Sequence, residues 1–176
     1  MNTTLAQPVS RDSYGALLLM LAAPTLVPVV GVMVAPLVGL AGLVLGLQLA
    51  MGRPVPWIPD RTRAWVISSA LGPKLSLWIH EKFRPLSRLP SPRFPGLLAG
   101  LTVAWSSLLL LLPLAFIPFS NMIPALSLGL VGAGLVARKS LFSWLGMVLS
   151  GGFTALLILL GEALILAAQG FLTYFT

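Results

Sequence analysis

Very few residues of this chain could carry out covalent or acid–base chemistry. Its carboxylates are Asp12, Asp60, Glu81 and Glu162, its one imidazole is His80, and it has no cysteine. A hydrolase or transferase would need a nucleophile with a base, two carboxylates bracketing a site, or a metal. Asp12, Asp60 and Glu81 sit in polar flanks, and no two acids bracket a site at helical spacing. His80 beside Glu81 reads as a solvated pair, and one histidine without thiols cannot build a multi-histidine or thiolate metal site. No phosphate-cradling loop of the Walker type is present either. The expectation is a protein that is not an enzyme and holds no cofactor or metal.

Glu162 is the one acid in an unusual place, within Leu159-Leu160-Gly161-Glu162-Ala163-Leu164. A carboxylate at membrane depth costs about 2.5–3.5 kcal/mol even on lenient insertion scales, so it is normally turned inward, paired or protonated. One reading makes it a proton or cation relay, or a polar group lining a substrate path. The other makes it a carboxyl that ties its helix to another helix or subunit, or that sits near the interface. Gln48 offers the same choice: a helix-end amide reaching the interface, or a hydrogen bond across helices that fixes packing.

The elements that must position these groups follow from composition. Of 176 residues 57% are apolar and only 9% are charged, with a mean hydropathy of +0.98. An ordinary soluble domain carries about 25% charged residues, so a soluble enzyme, a disordered chain and a nucleic-acid-binding domain are all excluded. The net charge of +7 on so apolar a chain reads as a topology and lipid-contact signal. A single all-α integral membrane domain over residues 1–176 is predicted.

A spanning helix needs roughly 20 apolar residues. The block from Tyr14 to Met51 is too long for one span and is punctuated at Pro24, Pro28, Gly31 and Pro36. It predicts helices at 14–27 and 36–51 joined by Pro28-Val29-Val30-Gly31. The first arm is about 21 Å long at 1.5 Å per residue, short of a hydrocarbon core of about 30 Å. A re-entrant hairpin is one consequence; an ordinary two-span hairpin with an external turn is the alternative. Residues 97–112, then Pro113, Pro118, Ser120 and Asn121, then a helix from Pro124 to Ala137, repeat the pattern, and Arg138-Lys139 stops it. The last block breaks at Gly151-Gly152 and runs apolar to Phe175.

Pro28 aligns with Pro118 and Gly31 with Asn121, residue types that tolerate a left-handed turn. After a shift of two, Pro36 aligns with Pro124 and Gly46-Leu47 with Gly134-Leu135. The prediction is an internal repeat with halves at about 14–95 and 97–175. Each half is a proline-turn hairpin followed by an interfacial stretch and a transmembrane helix. If the hairpins re-enter, their second helices aim partly positive N-termini at a common centre, as broken helices in transporters do. Gly42 with Gly46, and Gly129 with Ala133, are small-residue faces expected to give close helix contact.

Between the halves, residues 53–95 hold eight of the eleven basic residues and three of the five tryptophans. Short helices at 60–71 and 74–83 are predicted to lie in the headgroup layer, with Arg53, Trp57, Trp65, Lys74 and Trp78 as candidate contacts to anionic lipid. The positive-inside rule places this segment in the cytoplasm. Whether the second hairpin is parallel or inverted relative to the first stays open at this level.

Several of these motifs, in order, resemble the bacterial exopolysaccharide-synthesis membrane proteins of the ExoD family. In the first half they are Ala23-Pro24-Thr25-Leu26-Val27-Pro28-Val29-Val30-Gly31, Gly46-Leu47-Gln48, Gly52-Arg53 and Pro56-Trp57-Ile58-Pro59. In the second half Pro118-Phe119-Ser120-Asn121-Met122-Ile123-Pro124-Ala125 is similar to the family's Pro-x-x-Asn-x-x-Pro-Ala. The family's Glu-Arg-Asp-Gly is replaced here by Ala137-Arg138-Lys139-Ser140, so no role of that acid carries over. The resemblance implies a bacterial inner-membrane protein linked to polysaccharide production or export, and no catalytic residue. The expectation is a small transporter or permease-like homodimer acting on an anionic or saccharide substrate. The alternative is a non-transporting scaffold or accessory subunit of a polysaccharide synthesis complex. The candidate path residues are Pro28, Gly31, Pro36, Gln48, Pro118, Ser120, Asn121, Pro124 and Glu162.

Overall fold

The computed structural model describes residues 11–54, 56–57, 94–112 and 120–175. Among these residues all regular structure is helical: α1 (Arg11–Thr25), α2 (Pro28–Ala50), α3 (Gly96–Leu111), α4 (Met122–Val136) and α5 (Ser140–Phe175). Two stretches are long and apolar enough to cross a membrane, Val30–Ala50 and Ser140–Ala163, as expected of a membrane protein. Apolar helices of the bundle at Ser13–Thr25, Gly96–Leu111 and Met122–Val136 are shorter. The predicted headgroup helices at 60–71 and 74–83, with Trp65, Lys74 and Trp78, and also Pro118, lie outside the described residues.

The first corner differs from its expected form. Only Leu26 and Val27 separate α1 from α2; Pro28 opens α2 and Pro36 lies inside it. Val27 is extended (φ −86°, ψ 117°), as a residue before proline must be. Pro28 then takes the first helical position, where a missing N–H goes unnoticed because that amide has no intrahelical partner. The chain therefore turns at the residue before the proline instead of along four residues after it. Gly31 is not left-handed. Its N–H donates to the Val27 carbonyl at 2.6 Å within the helix, and its lack of a side chain leaves room for the Thr25 carbonyl oxygen. Asn121 is right-handed as well (φ −74°, ψ −19°). The expected break at Gly151-Gly152 is also absent: α5 is one helix of 36 residues.

The hairpins exchange partners. α2 packs chiefly on α3, and α1 chiefly on α4. Both pairs are antiparallel. A Cβ on Gly46 would stand 2.6 Å from the Ala104 amide nitrogen, while one on Gly39 would stand 2.9 Å from the Ser107 carbonyl oxygen. In the other pair a Cβ on Gly15 would stand 2.6 Å from the Gly132 carbonyl oxygen, and Ala22 faces Gly129. The end of α1 thus lies level with the start of α4, and the start of α2 with the end of α3. Both corners stand at one end of the bundle, so the two hairpins point the same way. Arg53, just past α2, is close enough to act electrostatically on Tyr14 near the start of α1, which closes the first hairpin at the opposite, base end. Tyr14, Leu18, Val103, Leu110, Leu128 and Val131 form the centre of the core.

At the base both returning helices end alike. After α2, Gly52 is left-handed (φ 73°), and the Gly52 and Arg53 amides donate to the Leu49 and Gln48 carbonyls at 3.0 and 3.1 Å. After α4, Arg138 takes that conformation (φ 53°), and Arg138 and Lys139 donate to Leu135 and Gly134 at 3.4 and 2.9 Å. These are the paired bonds of a glycine-type helix stop, made the second time by a residue whose Cβ opposes it.

Three substitutions test this packing. Gly46→Val drives a side chain into the α3 backbone and should lower stability by about 2 kcal/mol or more, whereas Gly152→Ala, with nothing within 4 Å of the new Cβ, should be neutral or slightly stabilising; thermal unfolding in detergent reads both. Arg138→Gly should raise stability by about 1 kcal/mol in the same assay by relieving the left-handed strain.

Candidate functional site

Three groups of polar side chains bear on function among the described residues. The first is the corner end. Thr25 is buried and donates its hydroxyl to the Ala22 carbonyl at 2.7 Å, which satisfies it within its own helix. Ser120 and Asn121 are buried at the entry to α4, followed by buried Pro124. Asn121 holds the position where a side chain ordinarily caps the helix, yet it makes no capping bond. Its Oδ1 has no hydrogen-bond partner among the described residues. An unpaired buried acceptor of this kind costs about 1–3 kcal/mol, a cost that a hydroxyl or an N–H brought to it would remove.

The second place is a hydroxyl layer through the middle of the bundle. Ser106 of α3, Ser127 of α4 and Ser150 of α5 are buried. Ser106 Oγ lies 2.9 Å from Ser127 Oγ and donates to Ser150 Oγ at 3.0 Å. Ser127 also donates to the Gly146 carbonyl at 2.8 Å. Trp105 Nε1 donates to Thr154 Oγ1 at 2.8 Å on the outside of the same contact. Sequence reading missed this layer. Its signal was the recurrence of isolated serines in otherwise apolar helices, the residue type that serves close helix contacts in lipid.

The third place is the base end, and it explains Gln48. This side chain is 6% exposed. Its Oε1 accepts the Trp57 backbone N–H at 2.6 Å and its Nε2 donates to the Trp57 carbonyl at 3.3 Å. The amide therefore acts as a strand-like partner for one residue of the Pro56-Trp57 segment, with Pro56 buried beside an exposed Trp57 ring. Gln48 neither reaches outward nor bridges to another helix; it latches its own chain as that chain leaves α2. Arg53 is exposed at the same end.

The corner end gathers Gly31, Asn121, Ser120 and Pro124, whereas Pro36 is exposed along α2 and Gln48 is at the far end. Glu162 is not part of that group. α5 runs antiparallel to α4, with Gly134 against Ser143 and Gly146 against Ser127 and Val131, and it continues past the corners. Glu162 sits exposed on that continuation. Among the described residues no three His, Cys, Asp or Glu side chains cluster as metal ligands would.

A family profile described as "Exopolysaccharide synthesis, ExoD" matches residues 3–159. The chain belongs to the ExoD family. Its members' description links it to exopolysaccharide synthesis. It is 29% identical over 181 residues to Protein ExoD of Rhizobium meliloti (strain 1021), covering 95% of this chain and 72% of that protein. It is 25% identical over 145 residues to an uncharacterized protein of Synechocystis sp., covering 78% of this chain and 67% of the other. No solved structure matches it significantly. In this ExoD-family chain the Gly-Leu-Gln and Pro-Trp motifs are the two halves of one contact, the Gln48 latch on Trp57.

That latch is testable. Gln48→Leu removes both bonds and leaves the Trp57 amide and carbonyl unpaired, a loss of about 1–3 kcal/mol. The expected readout is faster proteolysis after Arg53 with little change in the helical circular-dichroism signal.

Proposed function

We propose that this chain is a small multi-pass transporter or permease-like protein of the bacterial inner membrane, serving exopolysaccharide synthesis or export, with the corner end of the bundle as its substrate-facing element. The observation that carries the reading is Asn121: a buried carboxamide at the start of a helix, with an acceptor left open. A sugar hydroxyl is a donor of the right kind, and the positive end of α4 beside it favours an anionic group on the same ligand. The matched order of the two hairpins, with corners at one end, supports an internal duplication whose halves both contribute to that element. The basic residues of segment 53–95 then lie in the cytoplasm, against anionic lipid, at the base end where Arg53 and Lys139 leave the helices.

The experiment is flux into liposomes reconstituted with the purified protein and challenged with a labelled anionic oligosaccharide, with proton movement followed by an entrapped pH dye. Wild type should carry the label above protein-free vesicles. Asn121→Leu removes the open acceptor, so it should insert and fold at least as well as wild type while flux falls at least about tenfold. Vesicles in which wild type and protein-free controls are equal would remove the transport reading and leave a scaffold for partners of a polysaccharide synthase.

A further inference from the structure

Charge and exposed aromatic surface gather at one end of this bundle. Among the described residues every Lys and Arg stands at the base, as Arg11, Arg53, Arg138 and Lys139, with Asp12 the one acid there. None stands at the corners. The two helix stops bring their cations to the same turn of α1. Arg53 is close enough to act electrostatically on Tyr14. On the other side, a Cβ on Gly15 would stand 2.7 Å from the side chain of Val136, two residues before Arg138. Arg53 and Arg138 are both exposed. Their places are set by the backbone, because each belongs to a stop with one left-handed residue whose amides turn back onto the helix they leave.

Trp57 is a second, independent observation at the same end. Its ring is 66% exposed, yet its main chain is fixed by both bonds to the buried Gln48 amide. A ring held out in this way has no route back into the core. In water that exposure is unfavourable, whereas the headgroup level of a membrane is where tryptophan is enriched. Met51, at the end of α2, is exposed as well. The base therefore offers apolar side chains to the upper part of the acyl chains and cations to the phosphates beside them. Zwitterionic headgroups leave that positive charge unanswered, and anionic ones match it.

We propose that the base of the bundle is a docking surface for anionic phospholipid headgroups, with Arg53, Arg138 and Lys139 on the phosphates and the latched Trp57 ring as the anchor that fixes depth. Gln48 is a positioning residue in this arrangement: it is buried, and it acts through Trp57. The inference rests on the part of the foregoing reading that puts the chain in a membrane, and it is independent of transport.

The test follows thermal unfolding of the purified chain in neutral detergent while phosphatidylglycerol, phosphatidylcholine or inorganic phosphate is added. Phosphatidylglycerol should raise the midpoint in a saturable way, as a ligand of the folded state does, and the other two should not. Each cation removed should raise the half-effective phosphatidylglycerol concentration about fivefold, so Arg53→Gln combined with Arg138→Gly should raise it about 25-fold. Arg138→Gly relieves the left-handed strain, so a weaker lipid response in this variant is not a failure to fold. Gln48→Leu keeps every cation but releases Trp57, and Trp57→Ala removes the ring. Both should shrink the shift, measured from each variant's own lipid-free midpoint. Equal shifts from the two lipids would leave only apolar contact, and an equal shift from inorganic phosphate would point to a soluble anion. An unchanged response in the double variant would give the contact to other basic residues, and one in Trp57→Ala would remove the anchor. Each of these results overturns the proposal. None of them reads flux, so failure of the transport reading leaves this test intact.

Discussion

Backbone contact between helices governs this structure. Inside a bilayer the tails are as apolar as leucine, so helices gain little by hiding side chains and associate mainly through van der Waals packing and hydrogen bonds. Both principal pairs, α2 with α3 and α1 with α4, approach at positions where a Cβ would strike the neighbouring main chain. Everything else is fitted around those two approaches. They are antiparallel, and that fact alone sets the two corners at one end and both helix stops at the other. Residues whose bulk would separate the pairs are placed outward, as the exposure of Leu37, Leu40, Leu47 and Leu101 shows.

Polar groups then divide by what the packing leaves them. The serines at 106, 127 and 150 fall where three helices converge, and each finds a hydroxyl or a carbonyl. Thr25 turns back on its own helix. Gln48 is spent on the chain that follows it. Asn121 differs, because no described residue offers a donor to its Oδ1. A buried acceptor left open at one atom calls for an explanation, and the proposed ligand position supplies one. Tyr14 and Trp144 also carry a buried polar atom without a partner, but each sits on a large ring already held by packing, Trp144 edge-on to Phe94 at a centroid distance of 4.9 Å.

What could be read from the sequence followed the strength of the local signals. Apolar length gave the helical class, and the third and fourth helices were found to within about two residues because proline or paired basic residues bound them. The glycines at 42 and 46 announced a close contact, and the contact exists. The first corner was misplaced because proline ranks as a breaker inside a helix but as a favoured residue at its first position, and sequence alone does not say which applies to Pro28. Gly31 and Asn121 were expected to be left-handed for their tolerance of that conformation. The left-handed positions proved to be Gly52, which fits its type, and Arg138, which does not. Tolerance is permission, whereas the demand comes from where a helix must stop. The partner of Gln48 was out of reach of pattern reasoning, since a side-chain amide bonding the backbone nine residues on leaves no periodic trace.

The inequality of helix lengths has a further consequence. Four helices of the bundle contain 15, 23, 16 and 15 residues, and the fifth contains 36. Helices of 15 or 16 residues reach about 22–24 Å, less than a hydrocarbon core of about 30 Å, so among the described residues only Val30–Ala50 and Ser140–Ala163 are long and apolar enough to cross a membrane. The shorter helices are therefore placed by packing on their neighbours, α3 on α2 and α4 on α1 and α5. The first corner needs nothing from its surroundings for its amides, because Leu26 and Val27 donate to the Ala22 and Pro24 carbonyls and Val27 accepts from Gly31.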